Sequence, residues 1–97
     1  MTEKEARKEI MRRAKDLGPT VHVGKGGVDE GLLAEVAAQL KNARIIKIKV
    51  LGNSDGDAKG AAEEISSQTD SVAVDVRGGV IVLADSRTWT SLCQKKF

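Results

Sequence analysis

The run Val21-His22-Val23-Gly24-Lys25-Gly26-Gly27-Val28-Asp29 constrains this chain more than any other stretch. A short apolar strand runs into a glycine loop, and a helical pattern begins directly after it. Glycine permits positive φ and close approach of another group to the backbone. The helix that follows offers unpaired N–H groups and a partial positive charge at its start, the physical ingredients of an anion site. Gly24 and Gly27 frame the loop as G-x-x-G, with Lys25 inside it. The same spacing also serves a plain tight turn, so the loop alone does not decide between turn and phosphate grip.

Around this unit the pattern reads α-β-α-β-α-β-β. Thr2 and Glu5 have the form of a capping box, and Ala6, Ile10, Met11, Ala14 and Leu17 recur at helical spacing until Gly18-Pro19 stops the helix. Thr20–Val23 is the first strand. Asp29 is the expected N-cap of a second helix with a buried stripe of Leu32, Leu33, Val36, Ala37 and Leu40, and with Asn42 as its stop. In Arg44–Leu51, Ile46, Ile48 and Val50 share one face and Ile45, Lys47, Lys49 and Leu51 the other. Lysines of this kind also protect edge strands. Asp57 is expected to cap a third helix carrying Ala58, Ala61, Ala62 and Ile65. Val72, Val74 and Val76 alternate in a third strand, Arg77-Gly78-Gly79-Val80 signals a hairpin, and the apolar run Val80–Leu83 predicts a strand covered on both faces. Residues 85–97 carry no clear element; Trp89 and Leu92 are candidates to pack back, and Gln94-Lys95-Lys96 reads as solvated. The expectation is one α/β domain over residues 1–97, core 3–84, in which helices pack on a mixed four-stranded sheet.

Composition narrows the function. One histidine and one cysteine far apart in sequence, His22 and Cys93, build neither a typical zinc site without carboxylate help nor a nucleophile–base pair. No cofactor and no enzymatic activity are expected. His22, in a strand beside the loop, has two readings: a contact to phosphate, or an ordinary half-buried strand histidine, and the second is favoured. The loop lacks the G-x-x-x-x-G-K-[ST] spacing of a nucleotide P-loop, and Asp29 stands where a G-x-G-x-x-G fingerprint needs its last glycine. The acids of Gly52–Asp57 do not follow the EF-hand spacing. With 31% charged residues and no long apolar run, no membrane role is expected. The start Met1-Thr2-Glu3-Lys4-Glu5 has no apolar stretch of a secretory signal, and a lone cysteine forms no internal disulfide, so a cytoplasmic location is expected. One Trp, one Phe and no Tyr exclude a sheet that stacks bases on paired aromatics.

What remains is backbone grip by glycines, a helix N-terminus and cations, which follows shape and charge more than sequence. Lys41, Arg44, Lys47 and Lys49 lie together without an acid. Helix one carries Lys4, Lys8, Arg12 and Lys15, flanked by Arg7 and Arg13, and taken alone this is a solvated face with pairs such as Glu9–Arg13. Asp55, Asp57, Glu63, Glu64 and Asp70 make the third helix acidic, a side that a polyanion should avoid.

The order of basic helix, strand, V-G-K-G-G-V, amphipathic helix and I-I-K-I-K-V resembles the CRM domain, the RNA-binding module of chloroplast splicing factors and of bacterial YhbY-like ribosome-associated proteins. The resemblance runs from about Ala6 to Leu83 and rests on Gly24-Lys25-Gly26-Gly27-Val28 and Ile46-Lys47-Ile48-Lys49-Val50. It implies a fold related to the C-terminal domain of bacterial translation initiation factor three. It implies that Gly24, Lys25, Gly26 and Gly27 form an RNA-contacting loop and that basic helix one shares that surface. On this reading Lys25 contacts phosphate, and Arg12, Arg13, Lys15, Lys47 and Lys49 extend the surface. Single-domain members resemble assembly factors acting on large-subunit precursors, so ribosomal RNA or a pre-ribosomal particle is the expected partner. Two departures stand out: Leu83-Ala84-Asp85 replaces the family's frequent Tyr-Arg ending, and Asp29 sits close to the loop. The rival readings are a DNA-binding chromatin protein of Alba-like architecture and a small-ligand or protein-interaction regulatory domain.

Overall fold

Apolar strands alternating with amphipathic helices leave each strand with two faces to cover, and the chain covers both faces of its inner strands. The computed structural model describes residues 2–24, 27–51 and 55–94, with backbone alone for 55–57. Its elements are α1 (Glu3–Ala14), β1 (Val21–Val23), α2 (Glu30–Ala43), β2 (Ile45–Val50), α3 (Asp55–Thr69), β3 (Ser71–Arg77), β4 (Val80–Asp85) and α4 (Ser86–Gln94). The sheet order is β1-β2-β4-β3. β1 is parallel to β2, and β4 runs antiparallel to both β2 and β3.

Register fixes which side chains meet. Val21 pairs with Ile48, and Ile48 with Ile81. This row joins Val23, Ile46 and Leu83 under Val36 and Leu40 of α2 and Ala61, Ala62 and Ile65 of α3. The opposite face holds Ile45, Val74, Val82 and Ala84 under Ala6, Ile10 and Ala14 of α1 and Leu92 of α4. The result is a three-layer sandwich with β2 and β4 as its inner strands, so Lys47 and Lys49 do not guard an edge. β4 is covered on both faces as its apolar run predicts.

Local chemistry explains the boundaries. Glu5 N–H donates to Thr2 Oγ1 and Thr2 N–H to Glu5 Oε1, each at 3.2 Å, closing the expected capping box. Asp29 Oδ1 accepts from Leu32 N–H at 2.7 Å. Gly78 and Gly79 turn the β3–β4 hairpin at φ 57° and 77°, a left-handed pair that glycine adopts without a Cβ penalty. Val50 N–H then donates to Gly79 O at 2.7 Å, which ties the turn to the end of β2.

Several elements depart from the sequence expectation. α1 closes at Ala14, where Leu17 N–H bonds Ala14 O in a tight turn, and Leu17 is 41% exposed rather than part of the stripe. α2 ends on Arg44 in the left-handed region at φ 69°, past the expected Asn42. α3 starts at Asp55, so Asp57 lies within its first turn and is not its cap. A bulge between Ala73 and Asp75 breaks the alternation of β3: Val72 and Val74 face α1 and α4, whereas Val76 joins the α2–α3 side. Residues 86–94 form α4, whose Trp89, Leu92 and Cys93 recur at helical spacing against the α1 core. Gly52–Ser54 of the acidic loop and Lys95 and Lys96 lie outside the described residues. Among the described residues, no helix is long and apolar enough to cross a membrane.

Candidate nucleic-acid interface

The lysines of β2 owe their setting to period two. Ile46 and Ile48 point toward α2 and α3, so Lys47 and Lys49 point to the α1 side. Register extends this into two rows across the sheet. Lys47 pairs with Val82, and Val82 with Asp75; Lys49 pairs with Val80, and Val80 with Arg77. α1 rises beside these rows as a wall. Arg7, Lys8, Met11 and Arg12 of α1, its C-cap Lys15, and Lys47, Asp75 and Arg77 of the sheet line one open groove of about 610 Å³. Among the described residues that line it, six are cations and Asp75 is the one carboxylate.

Three of the cations are tied to the scaffold, Arg77 by its Nε at 3.6 Å from Asp75 Oδ2. Arg7 Nε donates to Val74 O at 2.9 Å, using the carbonyl of the bulge residue. Arg12 Nη2 donates to both oxygens of Glu9 at 2.6 and 2.8 Å, while Arg13 Nε donates to Glu9 Oε1 at 3.0 Å. The Arg12 hydrogen bonds, followed by burial working against them and by Arg13, hold the Glu9 carboxyl below the ordinary carboxylate range. Arg12 remains 75% exposed and Arg77 85%, so their paired carboxylates leave most of each guanidinium to solvent. Charge-assisted bonds from such groups to phosphate are among the stronger polar contacts.

The glycine segment opens at the loop end of the sheet. Val23 pairs with Val50, and Gly24 follows directly. Gly27 N–H donates to Gly24 O at 3.0 Å, and Gly27 takes φ 75°, which explains its glycine. Gly24 has no such φ and open space where a Cβ would stand. Asp29 is occupied as the α2 cap, as anticipated for an acid so close to the loop. Lys25 and Gly26 lie outside the described residues.

Of the residues singled out in sequence, Arg12, Lys15 and Lys47 line one groove and Lys49 continues its floor. Arg13 does not line it; it binds the Glu9 carboxylate from the next helical position. Sequence reasoning missed Arg7, Lys8 and Arg77 as members. Lys8, Arg12 and Lys15 at i, i+4, i+7 carried the helical signal, but Arg77 enters only through the β3–β4 register. His22 was expected to be half-buried and is exposed. The reason is positional: β1 is an edge strand, and its upper face is not roofed by α1, which packs on β2, β3 and β4. Acids gather elsewhere, with Glu63, Glu64 and Asp70 exposed on and after α3 in the opposite layer. Among the described residues no three His, Cys, Asp or Glu side chains are placed to hold a metal ion.

Comparison with known proteins places this architecture. Residues 1–84 match the CRS1 / YhbY (CRM) domain, and the chain belongs to that family. It is 34% identical over 74 residues to "Probable RNA-binding protein YqeI" of Bacillus subtilis, covering 76% of this chain and 77% of that protein. It is also similar to the solution structure of SAV1595 from Staphylococcus aureus, described there as a candidate RNA-binding protein. That match has a TM-score of 0.76 and 32% identity, and covers 88% of each chain.

Proposed function

We propose that this protein binds structured RNA by its sugar–phosphate backbone, through the Gly24–Gly27 segment and the groove between α1 and the sheet. The observation that carries this reading is the groove itself: among its described lining residues are six cations and one carboxylate, brought together from three elements, and no aromatic side chain. Such a surface grips phosphates and does not stack bases. Gly24 supports the loop's part. Nothing stands within 4 Å of the place a Cβ would take, so its backbone is open to close approach. Lys25, within this segment of the sequence, is the proposed source of charge for the phosphate. The relatives' names favour RNA over DNA. Ribosomal RNA in a large-subunit precursor, met in the cytoplasm, is the proposed target, on the resemblance of Ala6–Leu83 to single-domain YhbY-like proteins.

The test is a titration of a structured ribosomal RNA fragment over a salt series, with duplex DNA as competitor. Log K should fall steeply and linearly with log salt, as expected when several phosphates are neutralised, and RNA should be preferred. Equal or stronger binding of duplex DNA would favour a chromatin protein. A saturable phosphorylated metabolite without salt-dependent RNA affinity would favour a regulatory domain.

A further inference from the structure

We infer that His22 is a phosphate-contacting residue of this same surface and that RNA binding is coupled to proton uptake at its imidazole. This rests on the RNA reading above and adds to it a residue outside the groove.

The placement comes from the sheet. Val21 and Val23 are 4% and 3% exposed, turned into the α2–α3 core, so the residue between them faces the α1 side. His22 pairs with Lys49, and the row continues through Val80 to Arg77. It therefore stands at the β1 end of the floor, two residues before Gly24, between the groove and the glycine segment. Among the described residues, β2 and α2 are the elements that pack on β1. β2 sets Lys49 beside His22, and α2, with Glu30, Glu35 and Lys41, lies under the opposite face. The row itself contains cations and a valine and no carboxylate.

The chemistry follows from this neighbourhood. A neutral imidazole donates through one nitrogen, whereas the protonated ring donates through both and carries charge. A phosphodiester brought against Lys49 and the loop favours the charged ring, so binding takes up a proton there. By linkage, affinity then rises as pH falls through the imidazole range. Imidazole is the side chain whose charge ordinarily changes between pH 5 and 8, and ordinary carboxylates stay ionised across that window. His22 is the only histidine in the chain. A variant at position 22 separates the ring's contribution from that of any other group.

The experiment is a fluorescence-anisotropy titration of a structured RNA hairpin at constant ionic strength from pH 5.5 to 8, with the wild-type chain, His22→Gln and His22→Lys. The wild-type chain should bind about tenfold more tightly at pH 5.5 than at pH 8, which is about 1.4 kcal/mol of preference of the phosphate for the charged ring. His22→Gln should stay near the weaker limit throughout and His22→Lys near the tighter one. RNA binding that is independent of pH, or equally pH-dependent in His22→Gln, would overturn the role of His22 and leave the RNA reading standing. No RNA binding at any pH would overturn both.

Discussion

Reversing two exposed charges, Lys15→Glu with Lys49→Glu, is expected to lower affinity for structured RNA by about 100-fold with little change in melting temperature. Lys15 lies on the α1 wall and Lys49 on the sheet floor, so the pair samples both sides of the proposed surface. Both side chains are exposed, and neither α1 nor β2 depends on them for its core contacts. A hydrogen bond to a charged group is worth roughly 1.5–3 kcal/mol, and two lost contacts reach about 3 kcal/mol, which is two decades of affinity. The control is Glu63→Gln with Glu64→Gln on the opposite layer, which should leave affinity unchanged. Anisotropy titrations and thermal melts of both variants check this. Undiminished affinity in the lysine variant would remove the groove from the mechanism.

Ile48→Ala is expected to cost about 2–5 kcal/mol, the range for emptying a buried aliphatic site that relaxes only in part. Ile48 is fully buried on inner strand β2, in register with Val21 on one side and Ile81 on the other. α2 and α3 close over the same cluster, so the walls of the cavity come from separate elements that cannot collapse together. Domains of this size have total stabilities of about 5–15 kcal/mol, so the loss is a large share. At roughly 4–8 °C per kcal/mol, the melting temperature should fall by at least about 8 °C. Leu51→Ala is the contrast: Leu51 is 50% exposed, and the change should stay within about 0.5 kcal/mol. Urea unfolding followed by circular dichroism measures both, and a near-neutral Ile48→Ala would contradict the placement of the core.

Much of the fold was legible because its signals are local. The Thr2–Glu5 box, the Asp29 cap, the alternation of Ile46, Lys47, Ile48 and Lys49, and the Gly78-Gly79 turn each occupy a few adjacent residues and are present in the structure. What was not legible depends on pairing across the chain. The bulge at Val74 flips the parity of β3 and turns Arg77 onto the α1 side, and nothing in the run Val72–Arg77 announces it. β1 has three residues, too few to show a face, so the exposure of His22 emerged only with the sheet order. α4 hides its stripe of Trp89, Leu92 and Cys93 among Ser and Thr residues, which are weak helix formers. The candidate surface divides in the same way. Sequence offered the loop and the separate basic stretches, while the groove needed α1, β2 and β3 to be brought together.

The charge layout has a further consequence for approach. Cations line the α1 side of the sheet, and exposed acids sit on α3 in the opposite layer, although the formal net charge is only +2. A polyanion approaching such a molecule is oriented before contact, an effect that weakens as salt shortens the reach of each charge.

The measurement that tests the central claim most directly is an amide chemical-shift map of the full-length, ¹⁵N-labelled protein titrated with a structured ribosomal RNA fragment. The account predicts perturbations concentrated on α1 from Arg7 to Lys15, on His22 to Val28, on Lys47 and Lys49, and around Arg77, with α3 unaffected. Perturbations centred on α3, or on α4 away from the groove, would contradict it.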